Sequence, residues 1–242
     1  MTNKYPFRPK KRMTPEEINK SIEIPEWDTY SSVKKEEAKF IYDFIIKNKI
    51  KKTLEIGFAF ARSASHIMAA TEQGHIACDP FQTNYGEMGL KNIERLRLSD
   101  KLDFHPDFSH NVLPKLHAEN RKFEFIFIDG DHKFDGILVD FYYADLLLEE
   151  NGYVLMHDTW MRATRLVENF VKTNKHNYKY ISTPLRNFSL FQKTSEDSRD
   201  GMYFKEFYTF KSIVTNSMIS WMTNGKMTLP KKVLFKIKDL VK

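Results

Sequence analysis

Apolar and polar positions along the chain switch between two periods, and each switch marks an element. Short apolar runs at 53–56, 75–78, 102–105, 123–128 and 153–157 read as strands. Near-continuous apolar strands of this kind belong to parallel sheets covered on both faces. Between them, apolar residues at helical spacing predict helices over 34–49, 61–71, 86–98, 111–118, 135–149 and 161–173. Two more extended stretches follow near 178–182 and 188–192. Thr14-Pro15-Glu16-Glu17 has the form of a capping box with proline at the first helical position, so a short helix is expected to start there. Strand and helix thus alternate from 53 to 173, the signature of an α/β domain with helices on both faces. The chain divides into an N-terminal extension (1–33), one domain (34–193) and a C-terminal extension (194–242).

Composition narrows the class. At 242 residues with 41% hydrophobic content, the chain suits one α/β domain with a substantial core. The single Cys78 excludes an internal disulfide and leans towards a reducing, cytoplasmic setting. No apolar run approaches the roughly 18 residues of a membrane span, and the polar start lacks a signal-peptide core. The net charge of +6 is unevenly spread: residues 1–20 carry +4 and 224–242 carry +5, which leaves −3 for the body. A nucleic-acid enzyme carries its basic footprint around its site, so nucleic acid is not an expected partner.

Two strand ends carry the candidate chemistry. Strand 123–128 gives way to Asp129-Gly130-Asp131-His132, and Tyr153-Val154-Leu155-Met156 gives way to His157-Asp158-Thr159-Trp160. Ligands of open α/β sheets bind beyond the carboxyl ends of the strands. Neighbouring strands lie about 4.8 Å apart, so acids at both ends can share one ligand or cation. The first strand-to-helix turn, Gly57-Phe58-Ala59-Phe60-Ala61, has one glycine where a dinucleotide fold wants G-x-G-x-x-G. A cofactor without phosphates fits it better. Asp79 lies 22 residues beyond Gly57, where an acid can accept hydrogens from both ribose hydroxyls; a solvated aspartate starting the turn at Pro80 is the other reading. Asp107 and Phe108 either hydrogen-bond and cover an adenine or form an ordinary loop pair.

The segments Leu54-Glu55-Ile56-Gly57-Phe58-Ala59, Asp79-Pro80-Phe81-Gln82, Ile128-Asp129-Gly130-Asp131-His132, Val139-Asp140-Phe141-Tyr142-Tyr143-Ala144-Asp145 and His157-Asp158-Thr159-Trp160-Met161 resemble class I S-adenosylmethionine-dependent methyltransferases. The nearest likeness is to the bacterial group called methyltransferase domain family 24, over about residues 35–193. The resemblance implies a Rossmann-like, doubly wound, seven-stranded sheet with its last strand antiparallel. It also implies that Glu55 and Gly57, with Ser63, hold the methionine part of the cofactor. Asp79 would bind the ribose, and Asp107 with Phe108 the adenine.

Methyl transfer to a hydroxyl requires alignment of donor and acceptor and removal of a proton. His132 is the candidate base, because imidazole titrates near neutral pH and the family's sugar O-methyltransferases place a histidine at this spacing. Asp129 and Asp158 are oxygen ligands of the kind Mg²⁺ accepts, and metal-dependent relatives place acids at these strand ends. His157 departs from that pattern, and as a third ligand it would suit Mn²⁺. Direct hydrogen bonds from Asp129 and Asp158 to cofactor or acceptor are the alternative. His66, His75, His105, His110, His117 and His176 show no comparable partners.

The tails leave several partners open. Residues 230–242 set Val233, Leu234, Ile237, Leu240 and Val241 on one helical face and lysines on the other. Such a helix either lies at an anionic membrane surface or docks on the domain or on a second copy. The aromatic run 203–210 reads as packing or an acceptor wall, and Trp27 with Tyr30 as a lid or a linker. The reading that results is an O-methyltransferase using S-adenosylmethionine on a sugar or other small hydroxylated acceptor. Its rivals are a hydroxylase-like enzyme on the same fold and a non-catalytic membrane-peripheral module.

Overall fold

The computed structural model describes residues 12–28, 31–71, 73–205, 207, 213–214, 217–219 and 221–222. Seven strands form one sheet: Thr53–Ile56 (β1), His75–Cys78 (β2), Leu102–His105 (β3), Phe123–Ile128 (β4), Leu148–Met156 (β5), Tyr178–Ile181 (β6) and Ser189–Lys193 (β7). Their order is β3-β2-β1-β4-β5-β7-β6, with β7 antiparallel to both of its neighbours. The expected doubly wound sheet with one antiparallel strand is therefore present.

Among the described residues, seven α-helices accompany it: Pro15–Ser21 (α1), Lys35–Asn48 (α2), Arg62–Ala70 (α3), Met88–Arg95 (α4), Ser109–Ala118 (α5), Phe134–Leu147 (α6) and Arg162–Asn174 (α7). The Thr14 capping box closes α1 as its sequence requires: Glu17 N–H donates to Thr14 Oγ1, and Thr14 N–H to Glu17 Oε2. Ile41, Ile45 and Ile67 pack with Phe125 and Phe127 in one core, while Leu113, Phe141 and Val167 pack with Leu54, Ile56 and Ile126 in the other. All four residues of β1 and of β2 are buried, as strands sandwiched between helix layers must be.

The N-terminal extension is part of this body. Ile18, Ile22 and Val33 enter the first core. Asn92 ties the chain down by accepting from Glu23 N–H and donating to Glu23 O, both at 2.8 Å.

One boundary differs from the expectation. The fifth strand begins at Leu148, directly after α6, and not at 153. Leu148 is fully buried opposite Phe123, and the register then slips so that Phe125 meets Tyr153. Asn151, at φ +67°, turns the chain within this bulge.

Strand order reverses between β1 and β4, which pair in parallel with Ile56 opposite Ile128. Gly57 and Asp129 therefore leave the sheet side by side. The crevice beyond such a reversal is where an open α/β sheet binds its ligand.

Candidate active site

A cavity of about 780 Å³ opens over that reversal. Its lining includes Gly57, Asp79, Phe81, Phe108, Asp129, His132, His157 and Asp158, together with Val33 of the N-terminal extension. A sequence-derived set of strand-end residues thus meets in one place.

The turn after β1 is held without a glycine-rich sequence. Gly57 has φ +90°, and a Cβ there would lie 2.1 Å from the Asp129 carbonyl oxygen, so no side chain fits. Ala59 and Ala61 adopt left-handed conformations at φ +44° and +60°. Asp79 supplies the restraint that multiple glycines do not: its Oδ2 accepts N–H from Phe58 and Ala59, both at 2.9 Å, and its Oδ1 accepts from Phe81 at 2.7 Å. A carboxylate offers about four acceptor positions. Three are used here, so Asp79 has room for one ribose hydroxyl where the sequence suggested two.

Other cofactor candidates fall differently. Glu55 does not line the cavity; it is fully buried in the sheet, with Oε2 3.2 Å from His75 Nε2, while His75 Nδ1 lies 2.9 Å from Thr53 Oγ1. Burial pushes the Glu55 carboxyl up. His75 therefore has partners that its sequence context did not reveal. Ser63 lies on α3, also off the cavity. Asp107, two residues ahead of α5, accepts from Phe108 N–H and the Asn111 side-chain amide, and is absent from the lining. Phe108 does line the cavity, edge-on to Phe81 at 5.7 Å and stacked on His110 at 5.2 Å. Phe81 lay in a resemblance motif that assigned it no role, and His110 had no distinguishing local signal.

At the reacting end, His132 Nε2 lies 3.1 Å from Asp158 Oδ2. This hydrogen bond raises the His132 pKa above the ordinary imidazole value, against the burial that lowers it. Asp158 sits at φ +52°, a conformation aspartate tolerates better than most residues. Its other oxygen accepts from Trp160 Nε1 at 2.9 Å. Burial works to raise the Asp158 carboxyl, but His132, His157, Trp160 and Asn187 outweigh it, and it lies well below the usual carboxylate range.

His157 turns away from the expected ligand role. Its Nδ1 faces Asp129 Oδ1 at 2.9 Å, and its Nε2 lies 3.2 Å from Glu37 Oε2 and 2.8 Å from the Asn187 amide nitrogen. Both ring nitrogens thus have protein partners. Burial lowers its pKa, yet Asp129, Glu37 and Asp158 together carry it up to about 10. Burial likewise pushes Asp129 up, opposed by His157. The groups whose ligand atoms converge are Asp129, His132 and Asp158, all within 4.8 Å of one another. Two carboxylates and an imidazole form a donor set that suits Mg²⁺ or Mn²⁺.

In the described part of the aromatic run, Phe207 lies 5.6 Å from Phe170 of α7 and the Tyr203 hydroxyl 2.6 Å from His176, while Phe204 is exposed. Trp27 is exposed and does not line the cavity, while Tyr30 and residues 230–242 lie outside the described residues.

The sheet order, the reversal-point cavity and the acid-lined strand ends define a class I methyltransferase. Residues 16–199 match the family model described as O-methyltransferase, and the chain belongs to that family. The broader class of the motif resemblance is thereby shown; the matching family is not the family 24 group. Among solved structures, the chain resembles an O-methyltransferase from Bacillus cereus in complex with SAH (17% identity, TM-score 0.58), covering 78% of this chain and 93% of that one. It also resembles TomG from Streptomyces achromogenes, an O-methyltransferase of tomaymycin synthesis in complex with SAM (16%, TM-score 0.59, 70% and 85% covered). A third likeness is to SAH-bound PaMTH1, a methyltransferase from Podospora anserina (14%, TM-score 0.57, 74% and 92% covered). Among curated proteins none matches. The chain is thus a methyltransferase of the S-adenosylmethionine-dependent class, acting on oxygen.

Proposed function

We propose that the chain methylates a hydroxyl of a sugar or another small hydroxylated acceptor, with His132 as general base. The observation that carries this reading is the His132–Asp158 pair, 3.1 Å apart on the cavity that Gly57 and Asp79 also line. S-adenosylmethionine suits that cavity: Asp79 retains an acceptor position for ribose, Phe81 and Phe108 offer aromatic walls, and no phosphate cradle is needed. Bound there, it supplies a methyl carbon on a sulfonium whose thioether is a good leaving group. With Nε2–H donated to Asp158, His132 keeps a lone pair on Nδ1 to take the acceptor's proton. Asp158 then faces the imidazolium that results, which favours the transfer. Trp160, with 67% of its surface exposed and its indole tied to Asp158, offers an acceptor a flat apolar face beside the base.

A second reading rests on the convergence of Asp129, His132 and Asp158. These residues would hold a divalent cation, which supplies Lewis acidity that lowers the acceptor hydroxyl's pKa. A neutral imidazole has one lone pair, so His132 serves a cation or a proton and not both. The test is an assay of S-adenosylhomocysteine release over sugars, glycolipid precursors and phenols, with and without chelator. Release with hydroxylated acceptors that survives chelation supports the base reading, and chelator-sensitive release supports the cation. Turnover of acceptor without S-adenosylhomocysteine would point to the hydroxylase-like alternative.

Other inferences rest mainly on sequence. The family 24 grouping stands on the Asp129–His132 and His157–Asp158 motifs. A cytoplasmic location stands on the lone cysteine. Among the described residues, no helix is long and apolar enough to cross a membrane. Peripheral contact with anionic lipid through 230–242 is supported by the exposed Trp221 and Met222 just ahead of it. A homo-oligomer would cover the same apolar residues.

A further inference from the structure

The adenine end of the cavity has an acceptor, within the Val139–Asp145 motif, to which the sequence assigned no role. Asp140 lies on the buried face of α6 among Ile137, Phe141 and Ala144, so one acid interrupts a face otherwise used for packing. It is only 1% exposed, yet it lines the cavity. Its Oδ2 lies 3.5 Å from where a Cβ on Gly130 would stand, which places it behind the loop that follows β4. Neither carboxyl oxygen has a partner in good hydrogen-bond geometry; the Ser109 side chain, at the start of α5, is close enough to favour the carboxylate but leaves acceptor positions open. Buried polar atoms without a partner are rare in folded proteins and usually answer to a ligand, a water or a function. Across the same end of the cavity stand Phe81, Phe108 and His110. Aromatic walls with one buried acceptor suit a flat ring that carries an N–H on its edge.

We propose that Asp140 reads the amino edge of the adenine ring, accepting the exocyclic N–H of S-adenosylmethionine while Phe81 and Phe108 flank the ring. The inference rests on the cavity being the cofactor site. It gives the lone acceptor its donor, and it assigns the contact to Asp140 in place of Asp107, whose Oδ1 already accepts from Phe108 N–H and the Asn111 side chain. Burial, opposed by the Ser109 side chain and reinforced by Asp131, pushes the Asp140 carboxyl up to about 6, so at pH 7.5 it is chiefly ionised and an acceptor. A 6-oxo purine would set a carbonyl oxygen against it, repelling the carboxylate and moving the nearest N–H to the neighbouring ring nitrogen.

The experiment is calorimetric titration of the full-length protein with S-adenosylhomocysteine and with S-inosylhomocysteine, in which oxygen replaces the adenine amine. The wild type is expected to prefer the amine by at least about tenfold. Asp140→Ala should bring the two ligands to within about threefold, and Asp140→Asn should do the same, because its amide can serve either edge. The proposal is overturned if either folded variant keeps the tenfold preference, if the wild type shows none, or if only Asp107→Ala abolishes it. Should both Asp140 variants fail to fold, a crystal structure of the wild type with S-adenosylhomocysteine decides. An Asp140 oxygen within about 3.2 Å of the adenine amine upholds the assignment, and a longer separation overturns it. Failure of folded wild type to take up S-adenosylhomocysteine at all would defeat the cofactor-site reading itself.

Discussion

Glu37 Oε2 lies 3.2 Å from His157 Nε2, joining the first turn of α2 to the end of β5 across 120 residues of chain. The same oxygen accepts from Lys34 N–H at 2.7 Å, and the Asn187 amide donates to Glu37 Oε1 at 3.1 Å. Burial raises the Glu37 carboxyl, but His157 and the Lys34 N–H outweigh it and bring it down to about 2. Through the ring of His157 this contact reaches Asp129, so a helix ahead of the sheet braces the reacting carboxylates.

Glu37→Gln should therefore destabilise the protein in a pH-dependent way. His157, raised from 6.5 to about 10, contributes stability that is complete below pH 6.5 and lost as pH rises through about 10. Glu37, lowered from 4.5 to about 2, contributes stability that is present above pH 4.5 and lost as pH falls through about 2. The variant should thus lose most, about 3–5 kcal/mol, near pH 5.5. Urea denaturation at pH 5.5 and pH 10 checks this, and an equal loss at both values would show that Glu37 does not hold the imidazole charged.

His132→Ala should lower kcat by about a hundredfold to ten-thousandfold while leaving the Kd for S-adenosylhomocysteine within about twofold. Because the base acts when neutral and Asp158 raises its pKa, kcat/KM should climb with pH through a midpoint above 6.5. In Asp158→Asn that midpoint should move down. A wild-type profile with its rise below pH 6 would remove His132 from this role.

Asp79→Ala should cost cofactor binding and stability together, since one carboxylate holds Phe58, Ala59 and Phe81 N–H and faces the ribose position. Calorimetry is expected to show at least about a tenfold weaker Kd for S-adenosylhomocysteine, with a lower Tm. Unchanged uptake would mean that ribose is held elsewhere.

Gly57→Ala places a Cβ 2.1 Å from the Asp129 carbonyl oxygen at a φ of +90°. The β1 and β4 turns would have to separate, with a loss of about 3 kcal/mol or more in chemical denaturation. Wild-type stability in this variant would contradict the close approach of the two turns.

If the three converging groups hold a cation, dialysis against chelator should abolish activity, and Mn²⁺ should restore it in the wild type but not in Asp129→Asn. The Mn²⁺ electron paramagnetic resonance signal of the titrated protein reads binding independently of turnover.

Local chemistry was enough to read the strand and helix order, the Thr14 cap, and the placing of Gly57, Asp79, Asp129 and Asp158 at strand ends. These features follow from side-chain periodicity and turn propensity, which act over a few residues and are therefore written along the chain. Pairings across the sheet are set by which face each residue reaches. Met156 enters one core, His157 points to the opposite side against Phe188 and Glu37, and Asp158 swings towards His132 through its left-handed backbone. From adjacent letters His157 and Asp158 looked like two ligands of one ion; in the fold His157 Nδ1 stays 3.6 Å from Asp158 Oδ1, but its ring is held between Asp129 and Glu37 while Asp158 faces His132. The same holds for Asp107 and Asp140. One accepts from its own chain neighbours Phe108 and Asn111, a local act, while the other becomes a buried acceptor only because α6 docks behind the β4 loop. Long-range closure, which no window of sequence contains, decides which charged groups face each other and which face the ligand.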